Sequence, residues 1–245
     1  MAIISIKHNL NDLARMLDDV QRRQVPFASM TALNKVAEKV RAATYVEMGF
    51  KFDRPTPMVM KSLRIQYAKK TSLTAAVLLK DKEIGGKNPN SMAEIIGQQF
   101  TGGSRTSKRL EKMFIRAGLI SAWEYLVPGA DAKLDQYGNM SRGQIMQIIS
   151  QLKLGSDRYS WSTKSVRSKR NVAQSGEMFW SRGGHLARGV WMRHGRSVSP
   201  ILMASKKPHY QRRIDLDTIA QKVVDDNFEE VFWDSLNDAL RTARP

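Results

Sequence analysis

Between Arg158 and Arg213 this 245-residue chain carries thirteen of its 40 Lys and Arg residues against a single acid, Glu177. That segment supplies a net +12 of the formal +17, and then the sign reverses. From Ile214 to Pro245 eight acids (Asp215, Asp217, Asp225, Asp226, Glu229, Glu230, Asp234 and Asp238) face three bases, Lys222, Arg241 and Arg244. A compact fold with this much unbalanced charge repels itself unless something outside the chain neutralises it. Nucleic acid, an acidic protein neighbour or an anionic membrane would each do so. The charge therefore asks for a polyanionic or acidic partner without choosing among them.

Hydrophobic residues make up 42% of the chain, enough for a buried core despite the charge. No run of about 18 apolar residues occurs, so no transmembrane helix and no membrane partner are expected. Met1 to Lys7 offers too short an apolar stretch for a signal peptide. The absence of cysteine rules out a disulfide framework, a thiolate zinc site and a cysteine nucleophile.

Apolar periodicity sets out the elements. Ile4 and Ile6 alternate as a short strand would, and Asn9 or Asn11 caps a helix with Leu10, Leu13, Leu17 and Val20 on one face, ending before Pro26. A second helix is predicted from about Phe27 to Glu47, with Met30, Leu33, Val36, Ala37 and Val40 at three- and four-residue spacing. The pair reads as an elbow or hairpin hinged at the proline. Leu63, Ile65 and Tyr67, then Leu73, Ala75, Val77 and Leu79, alternate as the two arms of a β-hairpin turned at Lys69 to Thr71. Asp81 to Asn90 is a loop, a short helix follows Ser91, and Leu110, Met113 and Phe114 mark another.

Ser141 opens a helix with Ile145, Ile148, Ile149 and Leu152 inward and Gly155 as its stop. Asp157 to Gln174 has no apolar period and reads as an exposed basic loop. Strands return at Met178 to Trp180, Val190 to Met192 and Ile201 to Met203, and a long helix capped by Asp215 closes the chain. The class is α+β: an antiparallel sheet packed by N-terminal helices and a long C-terminal helix. A single domain over 1–245 is expected, with a helical and loop insertion at 81–175.

Reaction chemistry is sparse. His8, His185, His194 and His209 show no metal-ligand spacing, and Gly102-Gly103 and Gly183-Gly184 belong to no phosphate-binding pattern. Asp131-Ala132-Lys133 resembles the end of a metal-dependent nuclease motif, but it follows Pro128-Gly129 without strand alternation. No Gly-x-Ser-x-Gly elbow occurs. No enzymatic activity, cofactor or metal is expected.

The basic segment offers more. Arg158, Lys164, Arg167, Lys169 and Arg170, interleaved with Tyr159 and Trp161, combine charge for phosphates with groups that stack. Arg182, Arg188, Arg193 and Arg196 lie on or beside predicted strands, as candidate contacts to DNA or to an acidic partner. The same electrostatics would serve salt bridges to the acidic helix of a neighbouring copy. Asp225, Asp226, Glu229 and Glu230 are the candidate subunit interface, with Trp180 and Trp191 as candidate anchors or core residues.

The opening also carries a resemblance. Ile4 to Ile6, the helix Asn11 to Gln24, Val25-Pro26 and the element Ala32-Leu33-Asn34-Lys35-Val36-Ala37 resemble tailed-phage tail-completion proteins, in particular the minor tail protein Z family. Gly189 to Arg193, Pro200 to Met203, the tract Tyr210 to Arg213 and the final helix are similar in style. The likeness covers about residues 1–80 and 176–240. It implies a structural protein at the head–tail junction, a homo-oligomeric ring around a DNA channel, assembled in the host cytoplasm and built into the virion. Portal, neck or tail proteins would be its partners, with non-specific contact to packaged DNA. A free nucleic-acid-binding protein, in packaging or regulation, is the competing expectation.

Overall fold

The computed structural model describes residues 19–80, 91–155, 176–206 and 208–242, with side chains from Gln24 onward. In chain order the elements are α1 (Asp19–Lys51), α2 (Pro57–Met60), β1 (Leu63–Gln66), β2 (Ala76–Leu79), α3 (Met92–Thr101), α4 (Arg109–Arg116), β3 (Glu124–Pro128), α5 (Arg142–Gln151), β4 (Glu177–Ser181), β5 (Gly189–His194), β6 (Ser197–Lys206) and α6 (Leu216–Thr242). The class is α+β, with antiparallel strands between terminal helices. The predicted strand at Ile4 to Ile6, most of the first predicted helix, the loop at 81–90 and the basic loop at 157–174 lie outside the described residues.

The chain gathers into two compact units, 1–103 with 210–245, and 104–209. This differs from one body with an insertion at 81–175. Strands β4 to β6 share a sheet with β3, which places them in the unit of 104–209 and not with the terminal helices. Sequence position near the end of the chain groups those strands with the terminal helices; backbone pairing groups them with β3.

In the first unit, α1 runs unbroken through Pro26, where two helices hinged at that residue were predicted. A proline inside a helix costs about 3 kcal/mol, through one missing backbone bond and a clash with the preceding turn. Continuity is favoured by what the straight stripe buries: Val25, Ala28, Ala32, Leu33, Val36, Ala37, Val40 and Met48 are all sealed in the core. Each large apolar side chain so buried contributes roughly 1.5–3 kcal/mol, so a few of them outweigh the proline. Helix α6 lies antiparallel against this stripe, since Lys35 reaches Ser235 at 3.3 Å while Lys39 reaches Asn227 at 2.6 Å. Its cap is the expected one: the Thr218 N–H donates to Asp215 Oδ1 at 3.1 Å. That bond, aided by the guanidinium of Arg212, holds the Asp215 carboxyl below its ordinary value.

The predicted hairpin forms, with register from Leu63 opposite Leu79 to Gln66 opposite Ala76 and a tight bridge between Lys69 and Ser72. Asn34, in the middle of the Ala-Leu-Asn-Lys-Val-Ala element, pins it to α1. Its Oδ1 accepts from the Ala68 N–H at 2.7 Å and its Nδ2 donates to the Ala68 carbonyl at 3.3 Å. The side-chain amide thus stands in for one residue of a neighbouring strand. At the edge of this unit Gly103 and Tyr210 exchange both backbone bonds, at 2.9 and 2.8 Å. The chain leaves after Gly103 and returns at Tyr210, so this short ladder fastens the two crossing points together.

The second unit is a four-stranded antiparallel sheet in the order β3-β6-β5-β4, with α4 and α5 supplying helical cover to its core. Ser141 caps α5 as expected, accepting from the Gln144 N–H at 3.3 Å. Ile148 and Ile149 are buried, and Ile145 and Leu152 pack against them. Gly189 is demanded by close approach: a methyl there would stand 2.5 Å from the Leu202 carbonyl oxygen and 2.9 Å from Met203 Sδ. A buried ion pair ties α4 to β3. Glu111, with a side chain only 2% exposed, takes both arms of Arg105 at 2.6 and 2.7 Å and also the N–H groups of Lys108 at 2.6 Å and Leu126 at 3.1 Å. Arg105 in turn lies 4.2 Å over the Tyr125 ring. Burial opposes ionisation of Glu111, but Arg105 and the two backbone donors prevail and hold its carboxyl below the usual range.

Candidate interaction surfaces

On α6 the buried residues Phe228, Val231, Phe232, Ser235, Leu236 and Ala239 recur every three or four positions, which turns the intervening residues outward. Asp225, Asp226, Glu229, Glu230, Asp234 and Asp238 are all exposed there, around the half-exposed indole of Trp233. Asp225 accepts from Gln221 at 2.7 Å, and none of the six is in an ion pair among the described residues. Only at the start of the helix are carboxylates matched, where Arg212 pairs with Asp215 and, at 3.2 Å, with Asp217. The sequence located the acids; the burial pattern shows that all six lie on the outward side of the helix.

Among the candidate basic residues, Arg158, Lys164, Arg167, Lys169 and Arg170 lie outside the described residues. Arg182 stands exposed beyond β4, and Arg196 is exposed in the β5–β6 turn, where Gly195 takes φ of 59°. Neither has a carboxylate partner among the described residues. Arg193 is exposed at the end of β5, its guanidinium 5.2 Å over the Phe179 ring. Arg188 is otherwise engaged: it pairs with Glu124 at 2.6 Å and donates to the Leu119 carbonyl at 3.1 Å. Trp180 sets its ring 5.4 Å from that of Phe114 and packs against the core of its unit. Trp191 is half-buried and donates its indole N–H to the Ala187 carbonyl at 2.9 Å.

The β3 edge of the four-stranded sheet is blunted. On β3 the Leu126 N–H is taken by Glu111, and Pro128 has no N–H to offer. On β4 the Met178 N–H donates to the Gln151 side-chain oxygen at 2.6 Å. An edge with its donors already satisfied is a poor template for another strand.

Asp131 and Lys133 occupy an exposed loop after β3, in which Asp131 N–H bonds the Pro200 carbonyl at 3.1 Å and Lys133 N–H bonds Gln144 at 2.8 Å. No three His, Asp or Glu side chains gather to hold a metal ion among the described residues. His185, His194 and His209 are exposed and apart in sequence. No described helix is long and apolar enough to cross a membrane. A shallow cavity of about 530 Å³ between α1 and α6 is lined by Phe27, Lys35, Asp238 and Arg241 among others, with both charge signs at its rim. Comparison of the chain with family models, with curated proteins and with solved structures finds no match.

Proposed function

We propose that this chain is a virion structural protein of a tailed phage, a tail-completion or neck component that forms part of a ring around the DNA channel. The observation that carries the reading is the set of exposed carboxylates on α6, in no ion pair among the described residues, in a chain whose exposed Arg182 and Arg196, without a carboxylate partner among the described residues, stand on another compact unit. A ring needs two different, complementary faces on each copy, and opposite charges on two regions meet that need. The resemblance of the opening and closing segments to minor tail protein Z supplies the setting.

The test is charge reversal. Asp225→Lys, Asp226→Lys, Glu229→Lys and Glu230→Lys together should abolish incorporation into particles while leaving the far-ultraviolet circular dichroism of the purified chain unchanged. Normal incorporation of that variant would sink the acid-to-base joint.

The exposed arginines at 182, 193 and 196 also favour a second reading, sequence-independent DNA binding by the free chain. Such binding weakens steeply with salt because phosphate-bound counterions are released. Arg182→Ala with Arg196→Ala should then reduce the salt slope by roughly two, one for each phosphate no longer neutralised. Sequence-selective binding at physiological salt would favour a regulatory role instead.

A further inference from the structure

The four-stranded sheet presents different residues on its two faces. Met178, Trp180, Val190 and Met192 turn to the helical side, where they join the core with Phe114 and Ile148. Successive side chains on a strand point to opposite faces, so Phe179, Trp191 and Arg193 stand on the other one. Phe179 and Trp191 are direct partners across the β4–β5 ladder, and the Arg193 guanidinium lies 5.2 Å over the Phe179 ring. On β6, Pro200 is the partner of Trp191 and Val198 that of Arg193, which carries the same surface to the next strand. Phe179, Trp191, Pro200 and Val198 all lie outside the apolar core of the unit, and Val198 and Arg193 are exposed.

Charge decides what this face fits. Among the described residues of the first unit the signs nearly balance, sixteen Lys and Arg against thirteen acids, whereas in the second they stand at thirteen against five. Two of those five acids, Glu111 and Glu124, are already taken by Arg105 and Arg188. Glu177 is the only acid on β4, β5 and β6. The excess that asks for a polyanion therefore resides in the unit that carries the aromatic pair. An acidic protein would answer the charge alone. The faces of Phe179 and Trp191 answer to bases, which stack on aromatic rings whatever their sequence. A duplex keeps its bases stacked inside, so an unpaired strand is the polyanion that uses both features.

We infer that this open sheet face binds single-stranded nucleic acid without sequence preference, stacking neighbouring bases on Trp191 and Phe179. Arg193 and the exposed Arg182 and Arg196 take the phosphates. Arg182 follows the end of β4 beside the start of β5, and Arg196 lies in the turn past the end of β5, so the two flank the aromatic pair along the strands. Side chains directly opposite each other in an antiparallel pair start about 4.5–5.5 Å apart, close enough to take successive bases. The indole of Trp191 is held in place by its bond to the Ala187 carbonyl at 2.9 Å, which lowers the cost of ordering it on binding. The inference rests on the DNA-binding reading, for which it names the surface and the form of the strand, and it is independent of the virion reading.

Fluorescence anisotropy of a labelled oligothymidylate of about 20 nucleotides, titrated with the full chain, tests it. The single strand should bind about tenfold or more tightly than its duplex with oligoadenylate. Trp191→Leu should weaken single-strand binding by about 5-fold or more while leaving circular dichroism and the salt slope unchanged, because stacking releases no counterions. Trp191→Phe keeps a stacking ring and should recover most of that loss. If Trp191→Leu loses its circular dichroism signal, Phe179→Leu on the neighbouring strand is read in its place, with the same expected loss. Arg182→Ala with Arg196→Ala should do the opposite and lower the salt slope. Equal binding of single strand and duplex, indifferent to Trp191→Leu, overturns the stacking face and leaves the DNA-binding reading standing. No binding of either at low salt overturns both. Displacement of the oligonucleotide by polyglutamate as readily as by unlabelled strand at physiological salt makes the partner an acidic protein, and overturns the inference too.

Discussion

The two units achieve cohesion by different means. In the first, the α1–α6 seam is made by residues repeating every three or four positions, many of them small: Ala28, Ser29, Ala32 and Ala37 on one helix, Ala220, Ser235 and Ala239 on the other. No single side chain dominates such a seam, and its tolerance is set by the room between the helices. In the second, a few positions carry disproportionate weight. Glu111 satisfies an arginine and two backbone donors at once, and Gly189 leaves no space for a methyl group. A distributed apolar seam is damaged by added bulk; a concentrated polar knot is damaged by removal of one member.

Glu111→Ala should have the largest effect. It takes the carboxylate out of a buried ion pair, and breaking such a pair from one side typically costs about 3–5 kcal/mol. Chemical denaturation followed by tryptophan fluorescence measures it, since Trp123, Trp180 and Trp191 all lie in this unit. The pH dependence has a definite sign. Glu111 is ionised more readily when folded than unfolded, so its contribution is fully present above the ordinary carboxylate pKa and is lost as pH falls through the lower, folded value. Glu111→Gln should flatten the acid limb of the stability profile; an unchanged limb would show that other carboxylates govern it.

Ala32→Leu tests the other half of the comparison. Ala32 is fully buried in the helix seam, and overpacking there should cost roughly 1–3 kcal/mol. The destabilisation is read as a lower midpoint in the helical circular dichroism signal. If Ala32→Leu proved neutral, the seam would have slack and the contrast between the units would narrow. Asn34→Ala is the smallest of the three. It frees the N–H and carbonyl of Ala68, and removing a hydrogen-bond partner of this kind costs about 1–2 kcal/mol. Hydrogen exchange should report it locally, with faster exchange at Ala68 and at the Lys69–Ser72 turn while α1 stays protected.

The resemblance-bearing element at Ala32 to Ala37 makes sense on this footing. Its apolar members fill the seam and its asparagine holds the hairpin. Those residues are structural, so the likeness they carry concerns a scaffold, and the functional reading has to rest on surfaces. There the sequence was partly informative. It located the acids of α6 and the arginines at 182, 193 and 196 by position, and burial shows all of them exposed. It could not foretell that Arg188 is matched by Glu124, 64 residues away, or that Trp180 packs on Phe114.

By itself the sequence determined what is local. The helix faces of α1, α5 and α6, the caps Ser141 and Asp215, the β1–β2 hairpin and the split of charge between segments are all written within a turn or two of chain. Tertiary structure decided what depends on distant partners. A proline read locally as a hinge sits inside α1, because burying one continuous stripe outweighs its local cost. Gly103 and Tyr210, far apart in the chain, pair to fasten the exit and return of the second unit. Along Ala42 to Phe50, Thr44 and Met48 are buried while Tyr45, Val46 and Phe50 stay exposed. Periodicity records which residues are apolar, whereas the geometry of the neighbouring elements determines which of them leave water.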